Sequence, residues 1–145
     1  MIQLVIVAHG KFASGILTSL ELIAGQVEKI QAVDFTDSMS DQEVKERIKS
    51  VISSEEKVLV LTDLLGGTPF KVSVELVTEH SEKSIAVLSG LNLSMLLEAN
   101  FSRLTDDLEL LVSKLVNVAR EGVADSITLL KQDNGTEEEL FEDGI

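Results

Sequence analysis

The fold is decided at the start of the chain, where residues 2–10 read Ile-Gln-Leu-Val-Ile-Val-Ala-His-Gly. The run up to Ala8 is short, apolar and rich in β-branched residues, which is typical of a strand buried on both faces. Apolar residues then recur at helical spacing before Gly25, at Ile16, Leu17, Leu20 and Ile23. The opening of the chain therefore predicts one strand followed by one helix.

The same alternation repeats along the chain. Three further apolar runs predict strands, at residues 30–35, 57–62 and 84–88. Ser40, followed three residues later by Glu43, forms the pattern of a capping box and predicts the start of the second helix. After the third strand, Thr68 suits the N-cap of a helix and Pro69 suits its first turn. Two more helices are predicted over residues 92–100 and 106–120.

Strands alternating with helices imply right-handed crossovers and a parallel sheet covered on both faces. We expect an α/β three-layer sandwich with a mainly parallel sheet of order 2-1-3-4. Ser126 to Lys131 reads as a last strand, placed at an edge because little chain separates it from the preceding helix. Residues 1–131 are expected to form one domain, and residues 132–145 an acidic C-terminal tail.

Composition narrows the function classes. The chain has 145 residues, 44% of them hydrophobic, and the absence of cysteine excludes disulfides and thiolate metal sites. A net charge of -13 repels phosphate backbones and anionic lipid, so nucleic acid is not an expected partner. The first apolar run lacks a basic flank and is too short for a secretion signal or a membrane span. We expect a soluble, cytoplasmic protein.

The residues that follow the strands carry the chemistry. In open parallel sheets, ligands bind beyond the carboxyl ends of the strands. If the order is 2-1-3-4, strands one and three are neighbours, and His9 meets Asp63 at this edge. Asp63 would then fix the tautomer of the imidazole, leaving the other ring nitrogen of His9 as nucleophile.

Glycines beside this pair point to an oxyanion ligand. Gly10 opens the first helix, and Gly66, Gly67 and Thr68 precede the third, so that backbone N–H groups from both segments are expected near His9. Such groups hold phosphate well. The chemistry indicated is phosphoryl transfer onto histidine, with His9 and Asp63 as catalytic residues and the glycines and Thr68 as phosphate-binding residues.

Other chemistries lack their sequence patterns. Only two histidines are present, and no carboxylates show an EF-hand or similar spacing, so no metal is expected. No Walker A or dinucleotide-binding glycine pattern occurs, and no cofactor is expected. His80 falls at a predicted helix end and is interpreted as structural. A tight turn with its helix cap would account equally well for Gly66 to Pro69.

Three segments resemble a known family, the enzyme IIA component of the mannose-type sugar phosphotransferase system. They are residues 7–10, residues 63–70 and residues 89–95, in the right order, within a likeness that covers about residues 1–130. The resemblance implies that His9 takes a phosphoryl group from the carrier protein HPr and passes it to a IIB component, with the membrane components IIC and IID acting downstream. Ser94 stands where many members have proline.

The resemblance also implies a homodimer in which the last strand pairs with the partner's sheet, and a separate IIA chain. The closing residues 141–145 and the wording of residues 89–95 look like the N-acetylgalactosamine branch of the family. Two rival functions stay open at this point: the phosphotransfer subunit of dihydroxyacetone kinase, and a non-catalytic sensor domain of the same fold.

Overall fold

A computed structural model describes residues 1–52, 54–55 and 57–132. Strands and helices alternate through most of this part of the chain. The strands are β1 (Gln3–His9), β2 (Ile30–Phe35), β3 (Lys57–Thr62) and β4 (Ser84–Leu88). The helices are α1 (Phe12–Ala24), α2 (Asp41–Ile52), α3 (Thr68–Glu79), α4 (Leu93–Ser102), α5 (Leu108–Glu121) and α6 (Ser126–Gln132).

The four strands form one parallel sheet in the order β2-β1-β3-β4, which confirms the predicted topology. Strand β1 lies between β2 and β3, so its last residue has a neighbour on either side. In the pairing of β1 with β2, His9 stands opposite Phe35. In the pairing of β1 with β3, Val7 stands opposite Thr62, which places Asp63 just beyond the paired region.

Side chains of the sheet alternate between two separate cores, which confirms the three-layer sandwich. Leu4, Ile6 and Ala8 of β1 pack into the core beneath α1, α4 and α5. Val5 and Val7 pack into the opposite core, beneath α2 and α3. Because successive residues of a strand point to opposite faces, His9 continues the second series and lies on the α2–α3 side of the sheet.

Helix α2 begins where the capping pattern predicts, since the hydroxyl of Ser40 accepts a hydrogen bond from the backbone N–H of Glu43 at 3.1 Å. Helix α3 begins one residue earlier than predicted. Gly67 is its N-cap, because the Gly67 carbonyl accepts the N–H of Lys71 at 2.9 Å and the Gly67 backbone is extended. Thr68 is therefore the first residue of α3 rather than its cap, and Pro69 still lies in the first turn.

The predicted last strand, Ser126 to Lys131, is wrong: this segment is helix α6. The carboxylate of Asp125 accepts the N–H of Thr128 at 2.7 Å, and the N–H of Leu129 donates to the Asp125 carbonyl at 3.2 Å. Asp125 thus caps a helical turn, a signal that the alternating apolar residues of the segment concealed. No residue of α6 is buried. The sheet therefore has β4 as its edge in the described part of the chain.

The opposite end of the sheet is held by a buried arginine. Arg103, only 3% exposed, donates from Nη1 to the carbonyls of Ile2 at 3.3 Å and Lys29 at 3.0 Å. Its Nη2 donates to the carbonyl of Glu28 at 2.5 Å. One guanidinium therefore satisfies carbonyl groups at the starts of both β1 and β2, far from the carboxyl ends of the strands.

None of the helices that the structure describes combines the length and apolar character of a membrane span. Residues 133–145, which make up nearly all of the expected acidic tail, lie outside the described residues.

Candidate functional site

His9 and Asp63 are in contact at the carboxyl edge of the sheet, as the predicted strand order requires. The Nδ1 atom of His9 lies 2.9 Å from the Oδ2 atom of Asp63. The His9 side chain is 45% exposed, whereas that of Asp63 is 16% exposed. The carboxylate therefore lies beneath the ring, and the imidazole faces solvent.

Three hydrogen bonds fix the Asp63 carboxylate. Oδ2 also accepts the backbone N–H of His9 at 3.0 Å, and Oδ1 accepts the N–H of Leu64 at 2.9 Å. Because an ionised carboxylate only accepts hydrogen bonds, Nδ1 of His9 is the protonated ring nitrogen. The lone pair of the neutral ring then resides on Nε2, which is the nitrogen available for reaction.

The hydrogen bonds to Asp63 also set its ionisation. Partial burial acts to raise its pKa, but the backbone and ring N–H groups of His9, with a smaller contribution from the N–H of Leu64, lower the pKa of Asp63 below its usual value. Asp63 is thus negatively charged at neutral pH, as an acceptor for the Nδ1–H group must be.

The His9 ring lies over the N-terminus of α3. A Cβ atom placed on Gly67 would fall 2.9 Å from Cε1 of His9 and 3.6 Å from Nε2, so the ring occupies the space a side chain would fill. The first-turn N–H groups of a helix have no partner within the helix, and the N-terminus carries partial positive charge. In α3 these groups belong to Thr68 and Phe70, since Pro69 has no N–H.

Two of the expected phosphate-binding glycines have N–H groups that already donate hydrogen bonds within the protein. The N–H of Gly10 donates to the carbonyl of Phe35 at 2.8 Å, and that of Gly67 donates to the carbonyl of Leu64 at 3.2 Å. The expectation that the Gly10 and Gly67 amides are free for an anion is therefore corrected. Gly10 and Gly66 have φ values of +58° and +78°, which suit glycine in tight turns.

The N-terminus of α1 is already occupied by a carboxylate of the protein. Asp34, on β2, accepts the backbone N–H of Ser14 at 3.0 Å and its hydroxyl at 2.7 Å. Helix α1 also packs on the opposite face of the sheet from the His9 side chain. The α3 N-terminus is consequently the one that His9 approaches.

Sequence reasoning missed Phe35. Its ring lies with its centroid 5.6 Å from that of His9, at an interplanar angle of 67°, which is an edge-to-face arrangement. The signal was available: in the order 2-1-3-4, the second strand also ends beside His9. The polar and glycine residues that mark the site in the sequence follow strands one, three and four, whereas Phe35 ends strand two.

The segment after β4 supports the loop that carries Asp63. The N–H of Gly90 donates to the Asp63 carbonyl at 3.2 Å, and the N–H of Leu91 donates to the Thr62 carbonyl at 3.0 Å. Asn92 caps α4 by accepting the N–H of Met95 at 2.9 Å. These residues hold the backbone behind Asp63.

The remaining candidate groups lie elsewhere. His80 is the C-cap of α3, at the far end of that helix from His9, with its Nδ1 3.2 Å from a carboxylate oxygen of Glu82. Residues 1–52, 54–55 and 57–132 contain no cluster of three or more histidine and acidic side chains placed to bind a metal ion.

Known proteins that this chain resembles are components of one transport system. Residues 3–116 match the family model EIIA-man, described as the PTS system fructose IIA component. The sorbose-specific EIIA component of the PTS of Lacticaseibacillus casei is 31% identical over 121 residues, which cover 82% of this chain and 86% of that protein. The mannose-specific EIIAB component of Escherichia coli K12 is 31% identical over 128 residues, covering 84% of this chain but 38% of that protein.

A solved structure of the same kind of protein has a similar fold. The crystal structure of the phosphotransferase system component EIIA from Streptococcus agalactiae superimposes with a TM-score of 0.86 at 48% sequence identity. That match covers 88% of this chain and 99% of the other.

Proposed function

The chain belongs to the mannose-type EIIA family of the sugar phosphotransferase system, and from this membership we propose that it is a cytoplasmic phosphocarrier acting through His9. Members of this family are phosphotransferases. In our proposal, His9 accepts a phosphoryl group from phospho-HPr and passes it to a histidine of a IIB component. The observation that supports this most directly is the geometry of His9, with Nδ1 held by Asp63 at 2.9 Å and Nε2 over the N-terminus of α3.

The first transfer forms one N–P bond and breaks another. The lone pair of His9 Nε2 attacks the phosphorus atom of the donor phosphoimidazole, and the bonding pair returns to the donor nitrogen as the N–P bond breaks. His9 keeps its proton on Nδ1, and the Asp63 carboxylate stabilises the positive charge that the ring acquires. Because both donor and product are phosphoimidazoles, the step is close to thermoneutral and reversible.

Phosphoryl transfer needs positioning and stabilisation of the charge on the equatorial oxygens. We assign the second task to the N-terminus of α3, through the N–H groups of Thr68 and Phe70 and the hydroxyl of Thr68, with Gly66 shaping the turn. Gly67 contributes space for the His9 ring rather than an N–H group. Gly10 contributes the turn after β1.

Mass spectrometry tests this proposal. After incubation with phosphoenolpyruvate, enzyme I and HPr, we expect the native chain to gain one phosphoryl group that is labile in acid and stable in alkali. His9→Ala should gain none. His80→Ala is the matched control, because it removes the other histidine of the chain, and it should be phosphorylated like the native protein. An unchanged mass of the native chain would contradict the proposal.

The apolar residues beyond α5 support a homodimer. Val123, Ile127 and Leu130 are 76%, 66% and 54% exposed. In the described part of the chain, β4 is an edge strand of the sheet with no further strand paired to it. Exposed apolar groups and unpaired sheet edges are commonly covered by a partner. We propose that a second copy covers them. Sedimentation should give the mass of a dimer, and a monomer at all concentrations would refute this.

The sugar is proposed from resemblance alone. Residues 89–95 and 141–145 look like the N-acetylgalactosamine branch of the family, and the latter lie outside the described residues. Deleting the gene should abolish uptake of N-acetylgalactosamine through the membrane components IIC and IID. If uptake of a different sugar is lost instead, that sugar replaces N-acetylgalactosamine in the proposal. Dihydroxyacetone kinase and a non-catalytic sensor are not favoured, because the relatives and the solved structure named above are phosphotransferase system components.

A further inference from the structure

The His9 ring is held from two sides by residues with different chemistry. On the β3 side, Asp63 binds Nδ1 and Gly67 lies against Cε1. On the β2 side, the ring of Phe35 lies 5.6 Å away, centroid to centroid. Since β1 runs between β2 and β3, these contacts flank the imidazole.

A single hydrogen bond is a weak restraint on the orientation of a ring. The bond from Nδ1 to Asp63 can break, and rotation about the Cβ–Cγ bond of His9 would then carry Nδ1 away from Asp63 and Nε2 away from the first turn of α3. The His9 ring borders a groove that is also lined by Phe35, Thr36, Asp37 and Met39. Phe35 stands in this groove.

Phe35 is itself firmly placed. Its backbone carbonyl accepts the N–H of Gly10 at 2.8 Å, which ties the end of β2 to the residue after His9. Its side chain packs against the buried cluster that includes Val7 and Val33. The Phe35 ring therefore has a defined position beside His9. Edge-to-face aromatic pairs also have a preferred mutual orientation.

We propose that Phe35 is a positioning residue for phosphoryl transfer, holding the His9 imidazole so that Nε2 faces the N-terminus of α3. This inference rests on the proposed role of His9 as the phosphoryl acceptor. Phe35 touches no phosphoryl group and acts only through the ring of His9.

The test compares two core substitutions on the same strand. Phe35→Leu removes the ring but keeps aliphatic bulk. Val33→Ala removes packing from the same cluster, two residues earlier on the same face of β2, at a position that pairs with Val7 rather than with His9. Phe35→Tyr keeps the ring and serves as the conservative rescue. Thermal unfolding of each variant reports the fraction folded under the assay conditions.

The first measurement needs no phosphoryl donor. Nitrogen-15 NMR of the free protein reads the tautomer of His9 from the shifts of Nδ1 and Nε2. We expect a single Nδ1–H form in the native chain, in Val33→Ala and in Phe35→Tyr. In Phe35→Leu we expect a mixture of tautomers, because the ring leaves Asp63 for part of the time. An unmixed Nδ1–H form in Phe35→Leu would overturn the proposal.

The second measurement is the single-turnover rate of phosphoryl transfer from phospho-HPr, per folded molecule. A small misplacement of reacting atoms costs between about tenfold and a hundredfold in rate, and we expect a loss in that range for Phe35→Leu. Val33→Ala and Phe35→Tyr should stay within about threefold of the native rate. Equal losses in Phe35→Leu and Val33→Ala would show a merely structural role and refute the inference. If the native chain accepts no phosphoryl group, the proposed function fails, while the tautomer measurement still decides the position of the ring.

Discussion

One oxygen of Asp63 binds two groups of His9: Oδ2 accepts the backbone N–H at 3.0 Å and the ring Nδ1–H at 2.9 Å. The same carboxylate thus fixes the end of β1 and the tautomer of the side chain it carries. The link joins the acid just after β3 and the histidine at the end of β1 into one hydrogen-bonded unit.

Asp63→Asn should show what the negative charge of this carboxylate contributes. An asparagine still offers one carbonyl oxygen, but it carries no negative charge to stabilise the cationic ring, so we expect the rate of phosphoryl acceptance to fall about a hundredfold. Rapid-quench measurement with phospho-HPr gives this rate. Asp37→Asn is the matched control, since Asp37 is an exposed acid in the adjoining groove, and its rate should be unchanged. A native rate in Asp63→Asn would contradict the assignment.

Gly67→Ala should impair the site while leaving the fold intact. The φ value of Gly67 is -71°, which alanine adopts without strain, but its Cβ atom would fall 2.9 Å from Cε1 of His9. The ring must move, and we expect the rate to fall at least about tenfold.

The matched control is Gly15→Ala, in α1, where a Cβ atom meets nothing within 4 Å. This change should leave the rate unchanged and stabilise the protein by roughly 0.5–1 kcal/mol, since alanine is the better helix former. Equal rates for the two alanine variants would remove the steric role assigned to Gly67.

The acid sensitivity of the fold should depend on Asp63. Its pKa in the folded protein is lowered from the usual 3.8, so the folded state favours the carboxylate form. The resulting contribution to stability is fully present above about pH 4 and is lost as the pH falls through the lower, folded-state pKa. Urea unfolding should therefore show that the free energy of unfolding of the native chain exceeds that of Asp63→Asn by a larger margin at pH 6 than near pH 3. A gap that is equal at both pH values would contradict this.

Removing the buried guanidinium should destabilise the chain without touching the site. Arg103→Met fills a similar volume but leaves the carbonyls of Ile2, Glu28 and Lys29 without that donor. We expect a loss of about 3 kcal/mol in the free energy of unfolding. Arg47→Met, at an exposed position of α2, should change it by less than about 0.5 kcal/mol. A similar result for both variants would show that Arg103 is dispensable.

Local patterns predicted the sheet well because its two central strands, β1 and β3, are buried on both faces. The apolar runs from Ile2 and from Lys57 have no competing interpretation, and a parallel sheet of order 2-1-3-4 then brings His9 to Asp63 by topology. The start of α2 followed from Ser40 and Glu43 for a similar reason, since a cap is a contact between residues three apart.

The predictions that failed have separate physical causes. Nothing in the residues around Gly10 indicates that its N–H is taken by the carbonyl of Phe35, which lies 25 positions along the chain. The apolar residues after Asp125 favour a strand by their pattern, but the Asp125 side chain caps a helical turn. Phe35 is apolar, so a pattern of polar residues at strand ends does not include it, although an aromatic side chain can also lie against an imidazole.

Because Nδ1 of His9 is turned inward to Asp63, any group that joins or leaves the ring would have to use Nε2. Two proteins of ordinary size cannot both reach a single atom from the same side. In the proposed function, donor and acceptor would therefore bind in turn, and we expect ping-pong steady-state kinetics with the phosphorylated chain released between the two binding events.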